Sequence, residues 1–230
     1  MRTAVILILI ALFHAIPSIA QPFFCIDEGT RLVYLRKHAD SGEIKWKHTM
    51  DIREVFMAED SSAIVRYSSY FEDKRGKGIT KDTIHLSASI TEDSDVIVDI
   101  SASMVAVLKG FLWKGAKVEA EGGKTLLPYS LVPGQTIPEA HGCVSALGMK
   151  MNVDVTDRKV IGHETITTPA GTFECTVVSE HKVEKGMMRN RITTAHTWYA
   201  RGVGMVRHDT YDRNMKLETS EILEKIAIIQ

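Results

Sequence analysis

Net charge is almost absent from this chain. Its 28 lysines and arginines stand against 29 aspartates and glutamates, a formal charge of −1. A chain so balanced has no electrostatic reason to hold nucleic acid. The one basic run, Lys74-Arg75-Gly76-Lys77, reads as an exposed hairpin tip. Cysteines are few: Cys25, Cys143 and Cys175, with a spacing that fits no zinc or redox motif. Catalytic motifs are missing as well. There is no Gly-x-Ser-x-Gly elbow and no phosphate-cradling loop ending in Lys-Ser/Thr. His163-Glu164 lacks the second histidine of a zinc protease helix, because Thr165-Ile166-Thr167 follows. Glu92-Asp93-Ser94-Asp95 lacks the glycine and spacing of a calcium loop. No catalytic residue and no cofactor are assigned from the sequence.

Long apolar runs are absent too, with one exception at the start. Arg2 precedes the unbroken run Ala4 to Phe13, and Ser18-Ile19-Ala20 places small residues at −3 and −1 before Gln21. That is the pattern of a signal peptide over residues 1–20. The run is too short to span a bilayer, which needs about 20 apolar residues. Cys25 follows Phe23-Phe24, not the small residues a lipoprotein signal peptidase prefers. The expected mature protein is residues 21–230, one antiparallel β domain with no transmembrane segment. It is expected to be exported, periplasmic or envelope-associated. In that oxidising setting one cysteine pair could bridge and leave one thiol over.

What is present is mostly strand. Thr30 to Arg36 alternates around Leu32, Tyr34 and Arg36, and a turn at Asp40-Ser41-Gly42 leads into Glu43 to Val55. Ala63 to Phe71, Ile79 to Ser89 and Asp95 to Ile100 follow. Each is ended by Gly, Asp or Asn, as in successive hairpins. One segment changes period. Met104, Val105, Leu108, Phe111 and Leu112 recur at helical spacing, predicting a short amphipathic helix that covers one sheet face. Leu126 to Ala140 is interrupted by Pro128, Pro133 and Pro138 and reads as an irregular crossover.

A second group of strands begins near Met149: Lys150 to Thr156, Lys159 to Thr167, Thr172 to Glu184, Met187 to Tyr199, Met205 to Tyr211 and Lys216 to Ile229. Two of its turns are distinctive. Thr168-Pro169-Ala170-Gly171 has a proline that presets φ and a glycine that tolerates φ > 0 where a bulge is expected. Arg201-Gly202-Val203-Gly204 permits sharp re-entry after Trp198 and Tyr199.

The Thr-Pro-Ala-Gly-Thr-Phe-Glu-Cys hairpin at 168–175 and Trp198-Tyr199-Ala200-Arg201-Gly202-Val203-Gly204-Met205-Val206 resemble the TapB-like family of exported Bacteroidetes proteins. Val160 to Glu164 and Leu131-Val132-Pro133-Gly134-Gln135-Thr136-Ile137-Pro138 resemble it too. That family is similar to uncharacterised periplasmic proteins of LolA/LolB-like shape. The resemblance implies a mainly β fold: a curved antiparallel half-barrel of about ten to twelve strands, with the short helix on its concave face. It supplies no catalytic residues.

One constellation of reactive side chains is possible. If the Lys185-Gly186 turn pairs Val183 with Met188, Cys175 lies opposite His196. If the next turn pairs Trp198 with Val206, His196 lies opposite His208. Cys175, His196 and His208 would then line up across neighbouring strands, about 5 Å apart at each step, as a zinc site or a Cys–His pair. A slip of one residue would send each side chain to the opposite face.

The function expected is non-enzymatic binding of a hydrophobic or extended ligand in the hollow of the sheet, the partner being a lipid, an acyl chain or an envelope protein. Met149 and Met151 on one strand face would suit an adaptable apolar lining. The alternatives are a structural role in the envelope and an enzyme acting on surface polymers, which would need paired carboxylates in a cleft.

Overall fold

The computed structural model describes residues 21–79, 82–101, 104–105, 117–186 and 189–229. The expected leader, residues 1–20, lies outside them. Thirteen strands of the described residues form one antiparallel sheet. In chain order they are β1 Thr30–His38, β2 Ile44–Met57, β3 Ala63–Glu72, β4 Ile84–Ile90, β5 Val96–Asp99, β6 Val118–Gly122 and β7 Lys124–Leu127. Then come β8 Ala140–Ala146, β9 Met149–Thr168, β10 Gly171–Gly186, β11 Arg189–Ala200, β12 Gly204–Tyr211 and β13 Leu217–Ile228. The spatial order is β6-β8-β9-β10-β11-β12-β13-β1-β2-β3-β4-β5-β7. The first and last strands of that order, β6 and β7, are separated in the chain by Gly123 alone. One kinked segment, residues 118–127, therefore joins both ends of the sheet and curls it nearly shut.

The kink has a specific cause. Gly122 and Gly123 take φ of +68° and +104°, values an L side chain resists. Ser101 is wedged into the corner: a Cβ on Gly123 would sit 2.1 Å from its Oγ. Ser101 Oγ donates to the Glu121 carbonyl at 3.2 Å, and Ile100 N–H to the Gly123 carbonyl at 2.6 Å. Strand β6 pairs with β8 up to Gly122↔Gly142, and β7 pairs with β5 from Asp99↔Lys124.

Alternation explains the core. Leu32, Tyr34, Ile52, Val65, Ile90, Val160, Val178, Val206 and Leu223 are buried in one cluster. Each aliphatic burial is worth about 1.5–3 kcal/mol relative to exposure. One end of the barrel is capped. Phe23, Leu131 and Ile137, from the segment before β1 and the proline-rich connection, join that cluster. Arg201 clamps them from the β11–β12 turn. Its Nη2 donates to the Tyr129 carbonyl at 2.8 Å and its Nη1 to the Gln21 carbonyl at 3.3 Å. Its guanidinium lies 3.8 Å over Tyr129 and 4.6 Å over Phe23.

Several expectations change. The sheet is a nearly closed barrel, not a half-barrel, and has 13 strands, not about ten to twelve. The strands overlooked are β6, β7 and β8, whose Glu119, Glu121 and glycines hide the pattern. No helix among the described residues covers the concave face. Of the expected helix, Met104 and Val105 are described and have helical backbone, as do Ile100 and Ser101; positions 108, 111 and 112 lie outside the described residues. The turn expected at 156–158 is a bulge inside β9. Asp157 has φ of +50°, and the strand runs on to Thr168. Gly171 does have positive φ, +143°, yet the pairing continues without a bulge from Gly171↔Thr168 to Val177↔Gly162. The proline-rich connection is irregular as expected, but it is tied to that β9 bulge. Ile137 N–H donates to the Arg158 carbonyl, and Arg158 Nη1 donates to the Leu126 and Pro138 carbonyls at 3.0 and 2.7 Å.

Candidate functional site

At the end opposite the cap, the concave face opens into a cavity of about 580 Å³. One wall is β1 to β3, with Arg36, Lys45, Trp46 and Phe71; the other is β10 to β12, with Glu180, Lys182, Glu184, Arg191, Thr193 and His208. In the sheet order only β13 separates the two walls, and the curl of the sheet turns their inner faces toward one another. Parity delivers the charges. Leu32, Tyr34 and Arg36 share one face of β1, so the row that is apolar in the core becomes cationic at the mouth. On β10 the same face runs from the buried Val178 to Glu180, Lys182 and Glu184, a row of mixed charge at the mouth.

The aromatic wall is ordered. His48 stacks on Phe71 at 4.3 Å and on Tyr34 at 5.4 Å, and Trp46 meets Phe71 edge-on at 6.4 Å. Arg36 and Lys45 flank the Trp46 ring at 4.8 and 4.9 Å. Among the described residues Trp46 Nε1 finds no hydrogen-bond partner, although it is shielded from solvent.

The floor is a buried ionic network. Arg36 Nη1 donates to Glu221 at 3.1 Å, Nη2 to Thr210 at 2.6 Å, and both Nε and Nη2 to Thr219. Burial pushes the Glu221 carboxyl up, but His48, Arg36 and His208 together hold it below the usual glutamate range. Burial lowers the Arg36 guanidinium, opposed by Glu221. His208 shares a 2.8 Å hydrogen bond with Thr197 through Nδ1. Burial and then the Arg36 charge push it down to about 4, so it is neutral at pH 7. Arg191 pairs with Glu218, Lys182 with Glu184 at 3.3 Å, and Arg158 with Glu180 at 3.5 Å.

The alignment of Cys175, His196 and His208 does not form. Val183 pairs with Ile192, so Cys175 faces Ala200 and Glu164. A bulge after Trp198 puts His208 opposite Thr197 and His196 opposite Asp209. His196 and His208 are on opposite faces of the sheet. Cys175 is buried, and burial with the Glu164 charge raises its thiol to about 11. The His196 ring rests 4.9 Å from Tyr211, and burial lowers its pKa against the pull of Asp209. The three cysteines are unbridged. Met149, one of the two expected lining methionines, points to solvent at 45% exposure, and the cavity contains neither it nor Met151.

The cavity residues were not singled out from sequence. The available signal was Arg36 continuing the Leu32–Tyr34 face and the alternating charges of Glu180, Lys182 and Glu184. The missing information was that β1–β2 and β10–β11 face each other.

The sequence profile of the DUF3108-like family matches residues 28–223. The chain belongs to the DUF3108-like family. Two solved structures share its fold. One is a candidate lipoprotein from Parabacteroides distasonis, 20% identical, with a TM-score of 0.74 over 90% of this chain and 99% of that one. The other is a candidate exported protein with a YmcC-like fold from Bacteroides fragilis, 19% identical, with a TM-score of 0.73 over the same shares. No curated protein matches the chain. At these identities the likeness speaks for the fold. The TapB-like and LolA-like relations stay expectations.

Proposed function

We propose that this DUF3108-like protein is an exported, non-enzymatic binding protein of the TapB-like kind. Its ligand is an amphiphile held in the concave cavity. The observation that carries the reading is the cavity itself: about 580 Å³, with an aromatic wall facing charged strands. Sites for small ligands are of this size. Trp46 and Phe71 offer apolar contact. Trp46 Nε1 offers a donor to an acceptor-bearing head group, and Arg36 and Lys45 place positive charge beside it. A buried donor without a partner is uncommon, and a ligand acceptor would satisfy it.

Export is supported by the signal-peptide pattern expected over residues 1–20 and by the descriptions of the two solved relatives. The lipoprotein description does not transfer through Cys25, which is 3% exposed and packed in the core cluster. Charged pairs on the outer face, Arg31–Asp51–Arg53 and Arg66–Glu54, argue against a barrel bathed in lipid.

A scaffold working through its edge strands is less well supported, because the terminal strands β6 and β7 have five and four residues. Glu180 and Glu184 do share the cavity, as an enzyme would require, but each already faces a cation. Native mass spectrometry of protein purified gently from the envelope tests the binding reading. A co-purified amphiphile, diminished in Trp46→Ala, is expected. A clean apo mass for the unaltered protein would sink it.

A further inference from the structure

Two turns at the cavity end break a local rule in the same way. The β8–β9 turn is Leu147-Gly148, with φ of +55° and +75°. The β12–β13 turn contains Met215 with φ of +59°. A left-handed backbone favours Gly, Asn or Asp, and a large apolar side chain there is uncommon. At the capped end the non-glycine turn residues with positive φ are small and polar, Ser61 and Ser94.

Both apolar tips are exposed, Leu147 at 47% and Met215 at 53%, and Met149 joins the first at 45%. Residues 147–150 are all exposed, so both faces of this hairpin stand clear of the barrel wall. Neighbouring positions are basic and also exposed: Lys150 and Lys185 beside the first tip, Arg213 and Lys216 around the second. Gly186 fixes Lys185 near the first tip. It pairs with Met151, so closely that a Cβ on it would lie 1.9 Å from the Lys150 carbonyl.

The two ends differ in charge: at the cavity end Asp40, Glu43, Asp73 and Asp212 are outnumbered by basic groups, which include the exposed Lys74, Arg75 and Lys77 of the β3–β4 turn. Turns of the capped end hold Glu59-Asp60, Glu92-Asp93 and Asp95, with Arg201 bound inward over Tyr129. An anionic surface would therefore attract the cavity end and repel the other. We infer that the cavity end docks on an anionic lipid surface, with Leu147, Met149 and Met215 entering the headgroup region and Lys150, Lys185, Arg213 and Lys216 meeting lipid phosphates. Amphipathic surfaces with apolar tips and basic flanks bind membranes by this combination. Docking places the cavity mouth at the bilayer, where an amphiphile could pass without crossing water. The docking itself does not depend on the cavity's occupant, so it can fail while the binding reading holds.

The test is flotation of the mature protein with vesicles of phosphatidylcholine alone or with 30 mol% phosphatidylglycerol (about one anionic lipid in three). Wild type is expected to float with the anionic vesicles and to dissociate as salt rises. Leu147→Asp combined with Met149→Asp, and separately Lys150→Glu combined with Lys185→Glu, are each expected to weaken binding about tenfold or more. These residues are exposed, so circular dichroism and thermal midpoint should be unchanged. No flotation of wild type, equal flotation of wild type and variants, or equal binding to neutral vesicles would overturn the inference. So would a wild-type dimer that Leu147→Asp dissociates without any vesicle binding, which would assign the tips to a second copy of the chain.

Discussion

The two ends of the barrel solve opposite problems with the same strands. At the capped end, the segment before β1 and the proline-rich connection insert Phe23, Leu131 and Ile137 into the core, and Arg201 ties both down. At the other end the same alternation carries Arg36, Glu180, Lys182 and Glu184 inward, and a cavity is left between the walls. One end is built to be stable. The other tolerates a desolvated ionic floor, which well-packed apolar residues could often replace without loss of stability. Such a floor makes most sense where something polar is bound.

The comparison can be broken most forcefully at that floor. Glu221→Leu strands Arg36 and His48 without their carboxylate. It should cost about 3–5 kcal/mol, the usual cost of removing one partner of a buried pair. Urea denaturation reads this directly, and a loss below about 1 kcal/mol would mean that water reaches the floor freely.

Acid should be the next lever. His208 titrates at about 4 in the folded protein against 6.5 when unfolded. The unfolded chain takes up this proton first. Stability from this group is therefore complete above pH 6.5 and declines as pH falls toward 4, by up to about 3 kcal/mol. Glu221, whose folded pKa is lowered, adds its own loss only below about 4.5. Denaturation curves between pH 7 and 4 should flatten in His208→Gln. An unchanged slope would assign the acid sensitivity elsewhere.

The seam gives a comparable effect by a different route. Gly123→Ala must push against Ser101 Oγ while holding φ at +104°, and should cost about 2 kcal/mol. Ser101→Gly in the same chain should recover part of that loss, which a double-mutant cycle would show. At the capped end, Arg201→Ala removes two hydrogen bonds and two ring contacts that are partly exposed. About 1 kcal/mol is expected, with amide exchange rising at 21–29 and 128–131 and not at the cavity.

How much of this was legible beforehand follows from what each feature depends on. Hairpin alternation is local, so β1 to β5 and β10 to β13 stand where Leu32, Val65, Val98, Val177 and their neighbours put them, whereas β9 runs unbroken through the turn expected at 156–158. Closure is not local. It depends on Gly122-Gly123 kinking a short acidic strand and on Ser101 filling the corner, and no periodicity marks either. The Cys175–His196–His208 alignment failed for a related reason. Its register required a turn at Lys185-Gly186 and an unbroken β11–β12 ladder, whereas Gly186 still pairs with Arg189 and a bulge between Tyr199 and Trp198 shifts the ladder by one residue. The cavity was half legible: Arg36 sits on the Leu32–Tyr34 face, but the wall across from it is set by the curl of the whole sheet.

The central claim is that the end bearing the cavity is the working end. Hydrogen–deuterium exchange with and without vesicles made from envelope lipid extract tests it most directly. Protection should rise at residues 44–48, 147–150 and 182–186 and stay constant at 128–139. Protection confined to 21–29 and 128–139, or no change anywhere, would contradict it.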